Sequence, residues 1–221
     1  MLRRVWAGLL AANTLAGPAM AADVAPADGP ALRGSYLHVG VAATRQADDG
    51  KLTVGGLPFP GAGYVTQLGV APALEAGMFL RGSLAVSISA SGPFSTSNTG
   101  AGTLLGTGNL GDETGAFYAL TAHYHLPLTD RIRPYVGGGI GYMQVLGTHD
   151  GVISNFKVNS AAGAVLQAGV DVAVDENAGV FVDVKHYLLT TDASGTLGPV
   201  AVTAVARVDP WIVSSGLALA F

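Results

Sequence analysis

The sequence predicts an all-β fold, an eight-stranded antiparallel transmembrane β-barrel, and three observations carry that prediction. The composition is apolar yet sparsely charged. Of 221 residues, 49% are hydrophobic, 12% are charged and 32 are glycine, with a mean hydropathy of +0.43. A soluble domain has about 25% charged residues. Beyond the N-terminus no run approaches the roughly 20 consecutive apolar residues of a membrane-spanning helix, because Gly, Ser, Asp, Gln or His breaks every apolar stretch. What recurs instead is apolar–polar alternation of period 2, in segments long enough to cross a bilayer as strands.

Residues 1–21 read as a secretory signal peptide. Arg3 and Arg4 form its positive start, residues 5–15 are an apolar stretch too short to anchor, and Ala19-Met20-Ala21 is a small-residue cleavage site. Two of the 11 basic residues leave with it, so the mature chain carries 9 basic against 15 acidic residues. That balance argues against nucleic acid as a partner. The chain has no cysteine, which excludes a disulfide framework and thiolate metal sites. Residues 22–34, with Pro26 and Pro30, are expected to be a periplasmic lead-in to a barrel over 35–221.

Strands are expected over 35–45, 64–74, 78–90, 116–126, 133–146, 159–174, 180–191 and 200–221. Three connections are short: Glu75-Ala76-Gly77, 127–132 and Asp175-Glu176-Asn177. Four are long and favour Gly, Ser and Thr: 46–63, 91–115, 147–158 and 192–199. Strict alternation of short and long connections is the asymmetry of a barrel in the outer membrane of a Gram-negative bacterium, with short periplasmic turns and longer extracellular loops. Arg207 and Asp209 share parity with lipid-facing Trp211, so a bulge or an extension above the membrane is expected before the last strand crosses.

That last strand shows the clearest parity. Trp211, Val213, Leu217, Leu219 and Phe221 share one face, and Ser214, Gly216, Ala218 and Ala220 the other. A terminal Phe221 in register with Trp211, Leu217 and Leu219 resembles the assembly signal of outer-membrane proteins. It implies the barrel assembly machinery as a partner, beside outer-membrane lipid and lipopolysaccharide. The same parity turns Leu80, Leu120, Ile140 and Val182 to lipid, and Arg81, His123, His125, Asp171, Asp183 and Lys185 inward.

Eight strands enclose room for their own side chains or one small ligand. The six inward polar residues are therefore expected to form an ion-paired plug, since buried charges persist only when paired, with Arg81, Asp171, Asp183 and Lys185 as its floor. Leu57, Phe59, Phe94, Leu104, Leu105 and Phe156 lie in or beside the long loops. Apolar side chains there serve either loop packing or the mouth of a hydrophobic ligand site. Pro72 and Pro134 each remove one ladder donor, which fits a bulge or strand start better than a weakened seam in the wall. His123 and His125 face the lumen together, but no third ligand or adjacent nucleophile stands at a telling spacing. Neither a metal, a cofactor nor an enzymatic activity is expected.

At the fifth expected strand, Arg133-Pro134-Tyr135-Val136-Gly137-Gly138-Gly139 resembles the R-P-Y-V-G-x-G run of the OmpW/AlkL family. Gly92-Pro93-Phe94, Gln167-Ala168-Gly169-Val170-Asp171, Val182-Asp183-Val184-Lys185 and Val208-Asp209-Pro210-Trp211 are similar to further runs of that family, in the same order. The resemblance implies a narrow, largely apolar lumen open to the outside. It also implies passage of small hydrophobic molecules across the outer membrane, with lateral exit into the bilayer. A surface barrel serving as a bacteriocin or phage receptor, or as an adhesin, is the alternative; a lipid-modifying enzyme stands behind both.

Overall fold

The computed structural model describes residues 34–46, 49–126, 128–129 and 131–220. The expected signal peptide, the lead-in up to residue 33 and the terminal Phe221 lie outside the described residues. Among the described residues every regular element is a strand: β1 (Ser35–Arg45), β2 (Asp49–Val54), β3 (Leu57–Pro58), β4 (Ala62–Thr66), β5 (Gly69–Arg81), β6 (Leu84–Gly102), β7 (Asn109–His125), β8 (Ile132–Asp150), β9 (Ser154–Val158), β10 (Ala161–Ala173), β11 (Ala178–Leu188), β12 (Thr190–Leu197), β13 (Val200–Arg207) and β14 (Trp211–Ala220).

Eight of these strands, β1, β5, β6, β7, β8, β10, β11 and β14, pair antiparallel in that order, and β14 returns to β1. Closure leaves no open sheet edge, the condition for a sheet to sit in hydrocarbon. Alternation then sorts the side chains. Val70, Ile88 and Ile140 point outward and are 63%, 63% and 66% exposed. A belt of such residues around a molecule is untenable in water and fits a bilayer. On β1 the other register buries Tyr36, His38, Ala42 and Thr44 inside the ring.

The remaining strands build upward from the end that carries the long connections. β2, β3, β9, β12 and β13 form a second sheet in the order β3-β2-β13-β12-β9, and β4 pairs with β6. The segment expected as a loop over 91–115 is largely strand, because β6 and β7 continue their pairing from Phe94↔Gly115 to Thr99↔Asn109. Its Ser and Thr residues, which resemble loop composition, bond one another across strands. Ser95 Oγ lies 3.2 Å from Thr114 Oγ1, and Thr66 Oγ1 donates to Asn98 Oδ1 at 3.0 Å. β-branched Thr suits a pleated surface.

Two further corrections bear on the site. Glu75-Ala76-Gly77 is no turn: β5 runs unbroken from Gly69 to Arg81, and the chain reverses at Gly82-Ser83, where Gly82 has φ 55. The glycine at 77 answers a packing need, since a Cβ there would overlap the ring of Tyr36. The expected strand over 200–221 is divided. Residues 208–210 separate β13 from β14, and Asp209, at φ 26, accepts a hydrogen bond from Leu189 N at 2.9 Å and another from Arg207 Nε. This joint hands the chain from the upper sheet to the ring, which accounts for Arg207 sharing parity with Trp211.

Candidate functional site: a polar plug beneath an apolar cavity

The lumen is layered. Its lower part is a hydrogen-bonded cluster drawn from seven of the eight ring strands, β6 contributing Ser87, whose Oγ lies 2.9 Å from Thr121 Oγ1. Lys185 Nζ donates to Glu75 Oε2 and to Asp183 Oδ1, each at 2.7 Å. Asp183 Oδ2 accepts from Tyr135 Oη at 2.9 Å and Gln167 Nε2 at 2.8 Å. Gln167 Nε2 also reaches Glu75 Oε2 at 3.1 Å, and its Oε1 accepts from Thr121 Oγ1 at 2.7 Å. Tyr36 Oη donates to Glu75 Oε1 at 3.1 Å and lies 2.9 Å from His123 Nε2. His123 Nδ1 stands 2.9 Å from His125 Nε2. Asp171 closes the lower rim, 3.1 Å from His38 Nε2 and 3.8 Å from His125 Nδ1.

Burial makes this network costly unless it is complete, because an ion stripped of water must find both an opposite charge and hydrogen bonds. Lys185 meets that condition with two carboxylates, and each carboxylate with neutral donors besides. The ring is narrow enough that two tyrosines lie across glycines to reach the cluster. A Cβ at Gly77 would overlap Tyr36, and one at Gly169 would overlap Tyr135. Among the described residues no group of three His, Cys, Asp or Glu is arranged for a metal ion.

The structure therefore brings His123, His125, Asp171, Asp183 and Lys185 together and leaves out Arg81. Arg81 is exposed at the end of β5 beside the Gly82-Ser83 turn. Glu75 holds the place expected of a floor residue, and it went unread because the sequence put it in a turn. Tyr36 and His38 were legible by parity, since Leu37, Val39 and Val41 face lipid on the same strand.

Above the plug lies an apolar layer. Phe94, Phe117, Met143, Val165, Tyr187 and Ile212 are buried in one cluster with small alanines. Phe94 and Phe117 meet edge to face at 5.9 Å between ring centres, and Phe117 and Tyr187 pack tilted to one another at 5.3 Å. Higher still, between the upper sheet and the extended β4, β6 and β7, is a cavity of about 90 Å³ whose lining includes Leu52, Leu104, Leu110, Ile153, Phe156, Val158 and Val202. Of the loop residues singled out in the sequence, Leu104 and Phe156 line it and Phe94 lies in the layer below. Leu57, Phe59 and Leu105 are 72%, 41% and 81% exposed and do not.

The wall is irregular at the level of Phe94. The β5–β6 pairing stops at Ala73↔Ser91, and β6 is next bonded on that side at Ser97, whose O accepts from Gln67 N at 3.2 Å, ahead of Thr66↔Asn98 of β4. On its other side β6 places Gly92 and Pro93 opposite Ala116 alone, between Ser91↔Phe117 and Phe94↔Gly115. Pro72 and Pro134, by contrast, sit in register with Val41 and Val170.

Comparison with known proteins places this architecture. The model of the OmpW family matches residues 36–221. The dibenzothiophene metabolism operon protein PahQ of Pseudomonas aeruginosa is 36% identical over 129 residues, which is 58% of this chain and 61% of that protein, so the match covers less than two thirds of it. The outer membrane protein AlkL of Ectopseudomonas oleovorans is 27% identical over 172 residues, 78% of this chain and 75% of AlkL. Among solved structures, the outer membrane protein OprG of Pseudomonas aeruginosa superposes with a TM-score of 0.77 at 21% identity, over 87% of this chain and 98% of OprG. AlkL in lipid bilayers gives 0.66 at 23%, over 95% and 97%. Those two likenesses are of fold, and with the family match they lead to one conclusion: the chain belongs to the OmpW family and is an eight-stranded β-barrel of the Gram-negative outer membrane.

Proposed function

We propose that this barrel gives small hydrophobic molecules a passive route across the outer membrane. A molecule enters the apolar cavity from outside, descends to the Phe94–Phe117 layer, and leaves sideways into the bilayer. The observation that carries the reading is the order along the lumen, with an apolar cavity outermost, the Phe94–Phe117 layer beneath it and the polar plug below both. The cavity is lined mostly by aliphatic and aromatic side chains. Beneath it, Lys185, Glu75, Asp183 and Gln167 occupy the lumen with every charge paired. Continuing downward would require a greasy molecule to displace paired buried ions, which costs several kcal/mol per ion. The wall at Gly92–Pro93, with its unpaired stretch beside β5, is the cheaper way out.

The mature barrel is inserted into lipid vesicles, and the transfer of a small fluorescent hydrophobe into the bilayer is followed beside the influx of a disaccharide. The expected result is faster transfer of the hydrophobe with sugar influx unchanged from empty vesicles. Rapid sugar influx would show an open lumen and overturn the lateral route. Unchanged rates for both solutes would overturn the route altogether and leave the surface-receptor reading in its place.

A further inference from the structure

We propose that Glu113 is a specificity-determining group within the apolar route, selecting small hydrophobes that carry one hydroxyl, an alcohol or a phenol, over bare hydrocarbons. The inference rests on the route proposed above. Glu113 stands in β7, is 9% exposed and lines the outer cavity. A carboxyl in such a setting is costly unless its oxygens are bonded. One oxygen is: Gln46 Nε2 donates to Oε1 at 2.9 Å, and Thr96 Oγ1 donates to the same atom at 3.4 Å. Oε2 has no hydrogen-bond partner among the described residues.

Position makes that oxygen consequential. Gln46 follows β1 and Glu113 belongs to β7, with β5 and β6 between them in the ring, so the pair is a bar across the lumen. The 90 Å³ cavity above and a void of about 10 Å³ below, bordered by Phe94 and Phe117, both have Gln46 and Glu113 in their walls. A molecule passing from the cavity to the seam at Gly92–Pro93 must cross this bar. A hydrocarbon crossing it seals an unsatisfied oxygen against apolar surface, whereas a hydroxyl offers one hydrogen to that one oxygen. An ammonium would bring three hydrogens, and no second carboxylate lines either space among the described residues.

Phenol and toluene, equal in shape and differing by OH for CH₃, test this. The mature barrel in detergent micelles is titrated with each while the Gln46 side-chain amide is followed by NMR, with empty micelles as the blank. Wild type should bind phenol about tenfold more tightly than toluene, and the Gln46 amide should move with phenol. Glu113→Leu should bind the two equally, and Glu113→Gln, which keeps an acceptor, should retain part of the preference and shows that position 113 can change without loss of the fold. Equal binding by wild type, or a preference that survives in Glu113→Leu, overturns the inference and leaves the route standing. If wild type binds neither probe, the route itself falls and takes the inference with it.

Discussion

Lys185 shows how much of the ring's integrity is concentrated in single side chains. It stands 2.7 Å from both Glu75 and Asp183 in a part of the lumen closed to water. Lys185→Met removes the cation and strands two carboxylates, the situation in which breaking a buried pair costs about 3–5 kcal/mol. Urea unfolding in lipid vesicles should register that loss as a lower midpoint, and the double variant Glu75→Gln, Lys185→Met should recover part of it by removing one stranded charge. An unshifted midpoint in the single variant would show that the plug does not hold the ring. At this scale parity was the informative signal. His123, His125, Asp171, Asp183 and Lys185 all occupy the inward register that alternation assigned them. Glu75 escaped because a Glu-Ala-Gly run matches turn chemistry, while the real demand for Gly77 comes from the Tyr36 ring on the neighbouring strand. A demand made by a residue 41 positions earlier leaves no local trace in the sequence.

The elements divide into a ring that closes by itself and an upper structure that rests on it. β11 and β14 pair from Ala178↔Leu219 to His186↔Trp211, so the ring is complete below the joint at residues 208–210. The β12–β13 hairpin above that joint supplies Ala193, Ser194, Val202 and Ala204 to the cavity wall. Replacing residues 192–205 by a short turn should leave a barrel that still folds, read as the usual mobility difference between heated and unheated samples on a gel. The same variant should lose accelerated transfer of a hydrophobe into vesicles. A shortened barrel that keeps wild-type transfer would place the route elsewhere. These upper strands were the least legible part of the chain. Gly, Ser and Thr suit loops and polar strands alike, and only the pairing partner, such as Thr114 for Ser95, decides between them.

For the whole molecule the governing fact is a change of solvent along the barrel axis, hydrocarbon around the ring and water around the upper sheet. Period-2 alternation reports facing but not depth, which is why the count of eight crossings was readable although the first turn was misplaced by several residues. Leu74, Ala76, Met78 and Leu80 keep one face whether or not the chain turns between them. Depth becomes readable only when strands are in register, and it can be measured with a single charged probe. Ile140 faces outward on β8 at 66% exposure, paired with Leu120 and Ala164 of the flanking strands. Val205 faces outward on β13 at 54%, in the second sheet. Both expose a branched aliphatic side chain, so their surroundings in isolation look alike. Ile140→Lys should cost about 2–4 kcal/mol if it lies near the bilayer midplane, whereas Val205→Lys should cost at most about 1 kcal/mol. Equilibrium unfolding from vesicles gives both values. Equal penalties at the two sites would mean that hydrocarbon reaches the upper sheet, and the cavity would then open within the membrane instead of above it.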